Sequence, residues 1–281
     1  MKTAHKIAAA RLAYRIVHAC RGLIGRGDEI MVTRDGLRYA LDLAQGVDFA
    51  IYLFGHFEPS TARACARLVR PGAEILDIGA NIGAHTLHLA RLAGATGHVL
   101  AFEPTAYAFA KLQRNLALNP ELAPRVTAFQ CFLGAGDEAR PAERIYAGWP
   151  LVGGKELHAK HRGEAMPTTG AVLRSLDGLL AERGWPRIDF VKLDVDGYEC
   201  EVLAGAQAML QRSRPVFIME LSPYVLEEHG ASLARLMNCF LPLGYRFYRE
   251  RDETPLPDDP AQLAAMIGDG ASINAIARVV A

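Results

Sequence analysis

From Glu74 to the end of the chain, short apolar runs alternate with segments whose apolar residues recur at helical spacing. Ile75–Ile78, Val99–Phe102, Val126–Leu133, Ile188–Leu193 and Val216–Leu221 read as buried strands. Between them, Ala84–Ala93, a segment capped at Thr105 and the stretch carrying Val202, Leu203, Ala206, Met209 and Leu210 read as helices. Strands apolar on both faces and separated by amphipathic helices require a parallel sheet covered on both sides. A helix over 233–243 and strands at Tyr245–Tyr248 and in "SINAIARVV" follow. They suit an antiparallel pair closing one sheet edge. The expected fold is therefore α/β, a doubly wound and mostly parallel seven-stranded Rossmann-like sheet with an antiparallel last strand. Residues 1–58 are expected to form a helix and β-hairpin appendage to the main domain, 59–281. The hairpin is signalled by Asp35-Gly36 within "EIMVTRDGLRYALDL".

In such a sheet a ligand sits at the carboxyl ends of the strands, where the strand order reverses. The segment "ILDIGANIGAHTLHLA" offers that place. Gly79 and Gly83 permit backbone angles and close approaches that other residues resist, and the helix starting at Ala84 presents its positive end. A dinucleotide enzyme wants G-x-G-x-x-G, with the diphosphate against the second glycine. This loop places Asn81 there instead, and Asp77 adds an anionic group. Both fit a cationic ligand such as S-adenosylmethionine better than a diphosphate. Glu103, ending the next strand in "HVLAFEP", suits the ribose hydroxyls of an adenosine in either class.

A second constellation, "DFVKLDVDGYECEVLAGA", ends the fourth strand. Alternation would point Asp194 and Asp196 to one side, with Glu199 in the first turn of the following helix. Carboxylates crowded at an apolar sheet edge repel unless a cation, a basic side chain or a proton is shared. They could act as general base toward a hydroxyl or, joined by Glu220, hold a divalent cation such as magnesium. His85 follows the glycine loop, while His158 and His161 lie at i and i+3 in the interval 136–170. That interval, with Tyr146 and Trp149, is long for a connection and is the expected substrate lid.

These residues resemble the FkbM-type methyltransferases, a branch of the class I S-adenosylmethionine-dependent enzymes. The resemblance rests on "LDLAQGVDFAIYLFGHFEP", "ILDIGANIGAHTLHLA", "AFEPTAYAFAKLQRNLALN", "SLDGLL", "IDFVKLDVDGYECEVLAGA" and the final "SINAIARV", in that order. It implies S-adenosylmethionine as methyl donor and O-methylation of a hydroxyl on a sugar, glycan or secondary metabolite. Carried over by position, Asp77, Gly79, Asn81, Gly83 and Glu103 would hold the cofactor, with Ala80 and Pro104 beside them. Asp194 would face the reacting centre, with Asp196 its catalytic neighbour. The family commonly has Glu where this chain has Asp196, a carboxylate with one methylene less reach. Two other classes stay open at this level: a nicotinamide-dependent oxidoreductase and a non-catalytic nucleoside-binding or scaffold protein on the same fold.

Composition narrows the partners. Lys plus Arg and Asp plus Glu each number 31, so no global charge calls for nucleic acid. Five scattered cysteines form no C-x-x-C pair, which points to free thiols in a reducing compartment, the cytoplasm. In "MKTAHKIAAARLAYRIVHACRGLIG" bases interrupt every apolar run, so neither a signal peptide nor a membrane span is expected. Helical spacing puts Leu12, Ile16, Cys20 and Leu23 on one face. That face could meet the chain's own domain, a second copy in a homodimer, or a membrane surface.

Overall fold

A computed structural model of the 281-residue chain describes residues 3–137, 142–153, 157–158 and 163–280, with side chains described from residue 9 onward. Helix α1 (Thr3–Gly22) leads into the hairpin of β1 (Glu29–Arg34) and β2 (Leu37–Asp42), then α2 (Gly46–Phe54) and α3 (Pro59–Leu68). The alternating part follows as β3 (Glu74–Ile78), α4 (Ala84–Ala93), β4 (His98–Phe102), α5 (Ala106–Leu118) and β5 (Val126–Phe129). After the 136–170 interval come α6 (Leu176–Glu182), β6 (Phe190–Leu193), α7 (Glu199–Ala204), α8 (Gln207–Ser213) and β7 (Val216–Leu221). The chain closes with α9 (Pro223–Glu228), α10 (Leu233–Asn238), β8 (Tyr245–Arg249), α11 (Pro260–Ile267) and β9 (Ile273–Val279).

The main sheet has seven strands in the order β8-β9-β7-β6-β3-β4-β5. Strands β7, β6, β3, β4 and β5 run parallel, and β9 is inserted antiparallel between β7 and β8. The chain winds outward from β3 to β5, then crosses back to β6 on the other side of β3. The strand order therefore reverses between β3 and β6, where a doubly wound sheet opens a crevice.

Period two along the strands sorts the core into two layers. Leu76, Ile78, Leu100, Val191, Leu193 and Met219 pack under α6, α7, α8 and α10. Ile75, Val99, Phe190 and Ile218 pack on the opposite face, together with Leu87, Leu89 and Leu112. Tyr14, Leu37, Tyr39, Phe49 and Ile51 belong to that same layer, so α1, β2 and α2 each contribute side chains to the sheet's own core. Asn115 locks the junction. Its Oδ1 accepts from the Ala40 amide at 2.8 Å and its Nδ2 donates to the Ile82 carbonyl at 2.8 Å, tying the glycine loop to the hairpin.

Three local expectations need correction. The run Val126–Leu133 is two strands, because Cys131–Leu133 leaves the main sheet to pair with Val172–Arg174. The helix through Leu203 and Met209 breaks at Gly205, where a Cβ would stand 2.0 Å from the Gly134 carbonyl oxygen. The helix from Leu233 stops at Asn238 and continues after a break as a 3-10 turn at Leu241–Leu243.

Candidate active site at the carboxyl edge of the sheet

The loops leaving β3 and β6 cross at one point. Gly79 has φ +84°, and a Cβ on it would lie 1.8 Å from the Asp194 carbonyl oxygen. The glycine is required first by the end of β6, and only then by any ligand. The Gly79 and Ala80 amides donate to the Phe102 carbonyl, and the Asp194 amide to that of Ile78, stitching three strand ends together. Gly83, at φ +87°, caps α4.

Around this crossing lies an open cleft. Gly79, Ala80 and Asn81 line it, as do Glu103 and Pro104 from the end of β4 and Asp194 and Asp196 from the end of β6. Phe132, Phe57 and Trp149 supply apolar wall. Two expected cofactor residues, Asp77 and Gly83, do not line it.

Asp77 has another task. It is fully buried, accepts a 2.6 Å bond from Thr86 Oγ1 and stands in register with Lys192 of β6. Lys192 is itself buried, and its ammonium donates to Asp194 Oδ2 at 2.9 Å. Burial works against this ammonium, but Asp194, Asp77 and Glu58 outweigh it and raise the Lys192 pKa. For Asp77, burial pushes the carboxyl pKa up while Lys192 and Thr86 pull it back. The shared cation that crowded carboxylates demand is thus a lysine. Sequence reasoning passed over it, although "VKLD" places a lysine on a buried strand two residues before Asp194, hence on the same face.

Glu103 is buried and already engaged. Its Oε1 accepts from the Thr105 amide (2.8 Å) and hydroxyl (2.6 Å), and its Oε2 from the Asn81 amide (2.9 Å). A carboxylate offers about four lone-pair sites. Here roughly one is left, on Oε2. Asn81 holds φ +48°, with its Oδ1 accepting from the next amide at 2.8 Å.

Asp194 and Asp196 do not alternate along a strand as expected. Strand β6 ends at Leu193, and Asp196 sits at φ +48° in the turn. Both still reach the cleft. Burial first, then Asp194 and Glu220, raise the Asp196 pKa well above the usual carboxylate range. Glu199 is neither surface decoration nor a cleft residue. Buried, it accepts from the amides of Val195 (3.4 Å) and Gly197 (3.3 Å), fixing the turn that aims Asp196.

Burial raises the Glu199 pKa to about 7. A folded-state pKa above the ordinary value means the stabilisation is complete below about 4.5 and fades as pH rises through 7. The fold should lose on the order of 3 kcal/mol across that window from this group, and Glu199→Gln should remove most of the loss. Urea midpoints of both proteins at pH 5 and pH 8 check it; equal pH dependence in the two would contradict the assignment.

The expected metal set does not assemble. Among the described residues, the one trio whose ligand atoms lie within 4.8 Å of one another is Asp35, His56 and His88. Arg91 already occupies that cluster, bonded to Asp35 and to His88 Nδ1. Asp194, Asp196 and Glu220 make no such group, and Lys192 and Ser272 take up Asp194 and Glu220 oxygens. These residues do not fit a divalent cation.

Described residues of the 136–170 interval line the cleft. A ribbon of Arg144–Tyr146 and Ala165–Pro167 brings Ile145, Ala147 and Trp149 over it, and Trp149 stacks on Phe57. A second hollow adjoins the first, sharing Ile145, Val195, Asp196 and Tyr198. Tyr146, His158, Glu228 and His229 complete its wall. His158 pairs with Glu228 at 3.0 Å, so it serves the hollow rather than a metal pair; His161 lies outside the described residues. His85 is also at the main cleft, buried, with Nε2 lacking a hydrogen-bond partner. Burial, then Lys192, lowers its pKa well below the ordinary value.

The profile of the methyltransferase FkbM domain matches residues 77–247. The chain belongs to the FkbM methyltransferase-domain family. Methyltransferase sdnD of Sordaria araneosa is 33% identical over 156 residues, covering 47% of this chain and 59% of that protein. The 31-O-demethyl-FK506 methyltransferase FkbM of Streptomyces tacrolimicus is 33% identical over 168 residues, covering 50% of this chain and 61% of that protein. The chain thus matches about three fifths of these relatives' length. A solved FkbM methyltransferase structure from Methylobacillus flagellatus KT overlaps 77% of this chain and 50% of its own, at 17% identity and a TM-score of 0.46. This membership sets aside the oxidoreductase reading. The FkbM resemblance read from the motifs holds for both, since "DIGANIG" and "KLDVDGYE" lie within or at the edge of the matched span.

Proposed function

We propose that this chain transfers the methyl group of S-adenosylmethionine to a hydroxyl of a sugar, glycan or secondary metabolite. The observation that carries the proposal is the union of two hollows at Asp196 and Tyr198. One suits a nucleoside; the other, with its aromatic, imidazole and carboxyl side chains, suits a polyhydroxylated acceptor. The cofactor would lie along Gly79–Asn81, with Glu103 toward its ribose and Pro104 and Phe132 toward its base. Bound there, it supplies a sulfonium-activated methyl group.

The two aspartates divide the remaining work. Asp194, ion-paired to Lys192, orients the acceptor. Asp196, where the two hollows meet, is the carboxylate placed to accept the acceptor's proton. Asp196 would take the acceptor's hydroxyl proton while the methyl carbon exchanges its bond to sulfur for one to the acceptor oxygen, S-adenosylhomocysteine being the leaving group.

Asp196→Asn should lower turnover by about 10²–10⁴-fold while S-adenosylhomocysteine binds within a few-fold of the parent. Asp194→Asn should likewise lose turnover and retain the nucleoside. Single-turnover assays against a panel of hydroxylated acceptors, paired with calorimetry, read both. Absence of S-adenosylmethionine or S-adenosylhomocysteine binding at about millimolar concentration would overturn the reading.

A further inference from the structure

Helix α1 is apolar on two opposite sides. Tyr14, buried to 4%, packs edge-on against Phe49 of α2 and anchors the inner side with Ala10, Ala13 and Val17. At about 100° per residue, Leu12 and Ile16 point within about 20° of the direction opposite Tyr14. They are 63% and 59% exposed, and Leu23 and Ile24 in the following turn are 88% and 69% exposed. The face that the sequence left open to the chain's own domain, a second copy or a membrane surface is therefore the outward one. A helix apolar on both sides needs a second apolar neighbour. More exposed side chains stand on adjoining elements: Met31 on β1 and Leu53 and Phe54 at the end of α2.

Charge decides what that neighbour is. The first 27 residues hold six Lys or Arg (Lys2, Lys6, Arg11, Arg15, Arg21, Arg26) and no Asp or Glu. Because the whole chain is formally neutral, the rest is net acidic. A second copy would bring this basic stripe against itself, since a twofold interface pairs each patch with its own image. No carboxylate on α1 could relieve the repulsion. A nucleic acid would want bases at the centre of its contact and an aromatic platform, whereas this centre is aliphatic. An exposed aliphatic face in a segment whose charged residues are all Lys or Arg matches a lipid surface with anionic headgroups. Among the described residues no helix is long and apolar enough to cross a membrane, so the contact is lateral.

We propose that α1 with Leu23 and Ile24 seats the protein on an anionic membrane surface, the acidic remainder facing away. The inference is independent of the methyl-transfer reading. Co-sedimentation of the full chain with vesicles tests it. Phosphatidylcholine vesicles carrying about one third phosphatidylglycerol should bind the protein, plain phosphatidylcholine should not, and about 0.5 M salt should weaken the binding. A Leu12→Gln, Ile16→Gln, Leu23→Gln variant should bind at least about tenfold less, with thermal midpoint and S-adenosylhomocysteine affinity unchanged because these side chains are exposed. The proposal is overturned if anionic vesicles do not sediment the protein, or if the triple variant binds them as well as the parent. It is equally overturned if the parent sediments as a dimer that the variant turns into monomers, or if single-stranded RNA is bound in place of vesicles.

Discussion

Gly79→Ala is expected to be the most damaging single-methyl change in the protein. The residue holds φ +84°, and the added Cβ would lie 1.8 Å from the Asp194 carbonyl oxygen. The left-handed backbone alone strains an alanine by roughly 1–2 kcal/mol. The contact adds more, because the neighbouring atom is backbone at the end of a central strand and cannot swing aside. We expect a total loss on the order of 4 kcal/mol or greater, through separation of β3 from β6. Both halves of the cleft diverge with them, so S-adenosylhomocysteine binding should disappear even where the fold survives in stabilising salt. Urea denaturation and calorimetry on one preparation measure both. Stability within about 1 kcal/mol of the parent, with the nucleoside still bound, would show that the strand ends are not crossed as described.

Lys192→Met should rank second. It removes the cation against which Asp77, Asp194 and Glu58 are arranged and leaves their carboxylates facing each other across buried space. Breaking a buried pair from one side destabilises by about 3–5 kcal/mol. The sign with pH is specific. Without the lysine the already raised Asp77 and Glu58 carboxyl pKa values rise further, so these two groups fold best protonated. The variant should recover stability as pH falls toward 4–5 and be weakest at pH 8. Thermal midpoints across that range check it. A loss independent of pH would mean that Lys192 contributes through packing of its aliphatic stem rather than through charge.

The sheet, its reversed last strand and the glycine loop after β3 were legible in the sequence because they are written in local chemistry. Apolar runs such as Ile75–Ile78 have no other place to go than a doubly covered sheet. Gly79, Asn81 and Gly83 sit where the backbone takes left-handed angles, a property carried residue by residue. Breaks such as Gly205 were less legible, since the Gly134 carbonyl that forces the break arrives from distant sequence.

What charges do at the site belonged to the tertiary structure. Alone, "DIGANIG" makes Asp77 look like a ligand group; only the pairing of β3 with β6 gives it Lys192 and takes it off the cleft wall. Likewise, periodicity finds an apolar stripe on α1 but not which of its two stripes is covered, because Tyr14 is assigned inward by Phe49 of another helix. The sequence by itself determined backbone conformation and which residues avoid water, since both act over one or two turns of chain. The tertiary structure decided which charges face each other and which apolar face stays open. Electrostatic and packing energies depend on distance in space, and strand order alone sets that distance.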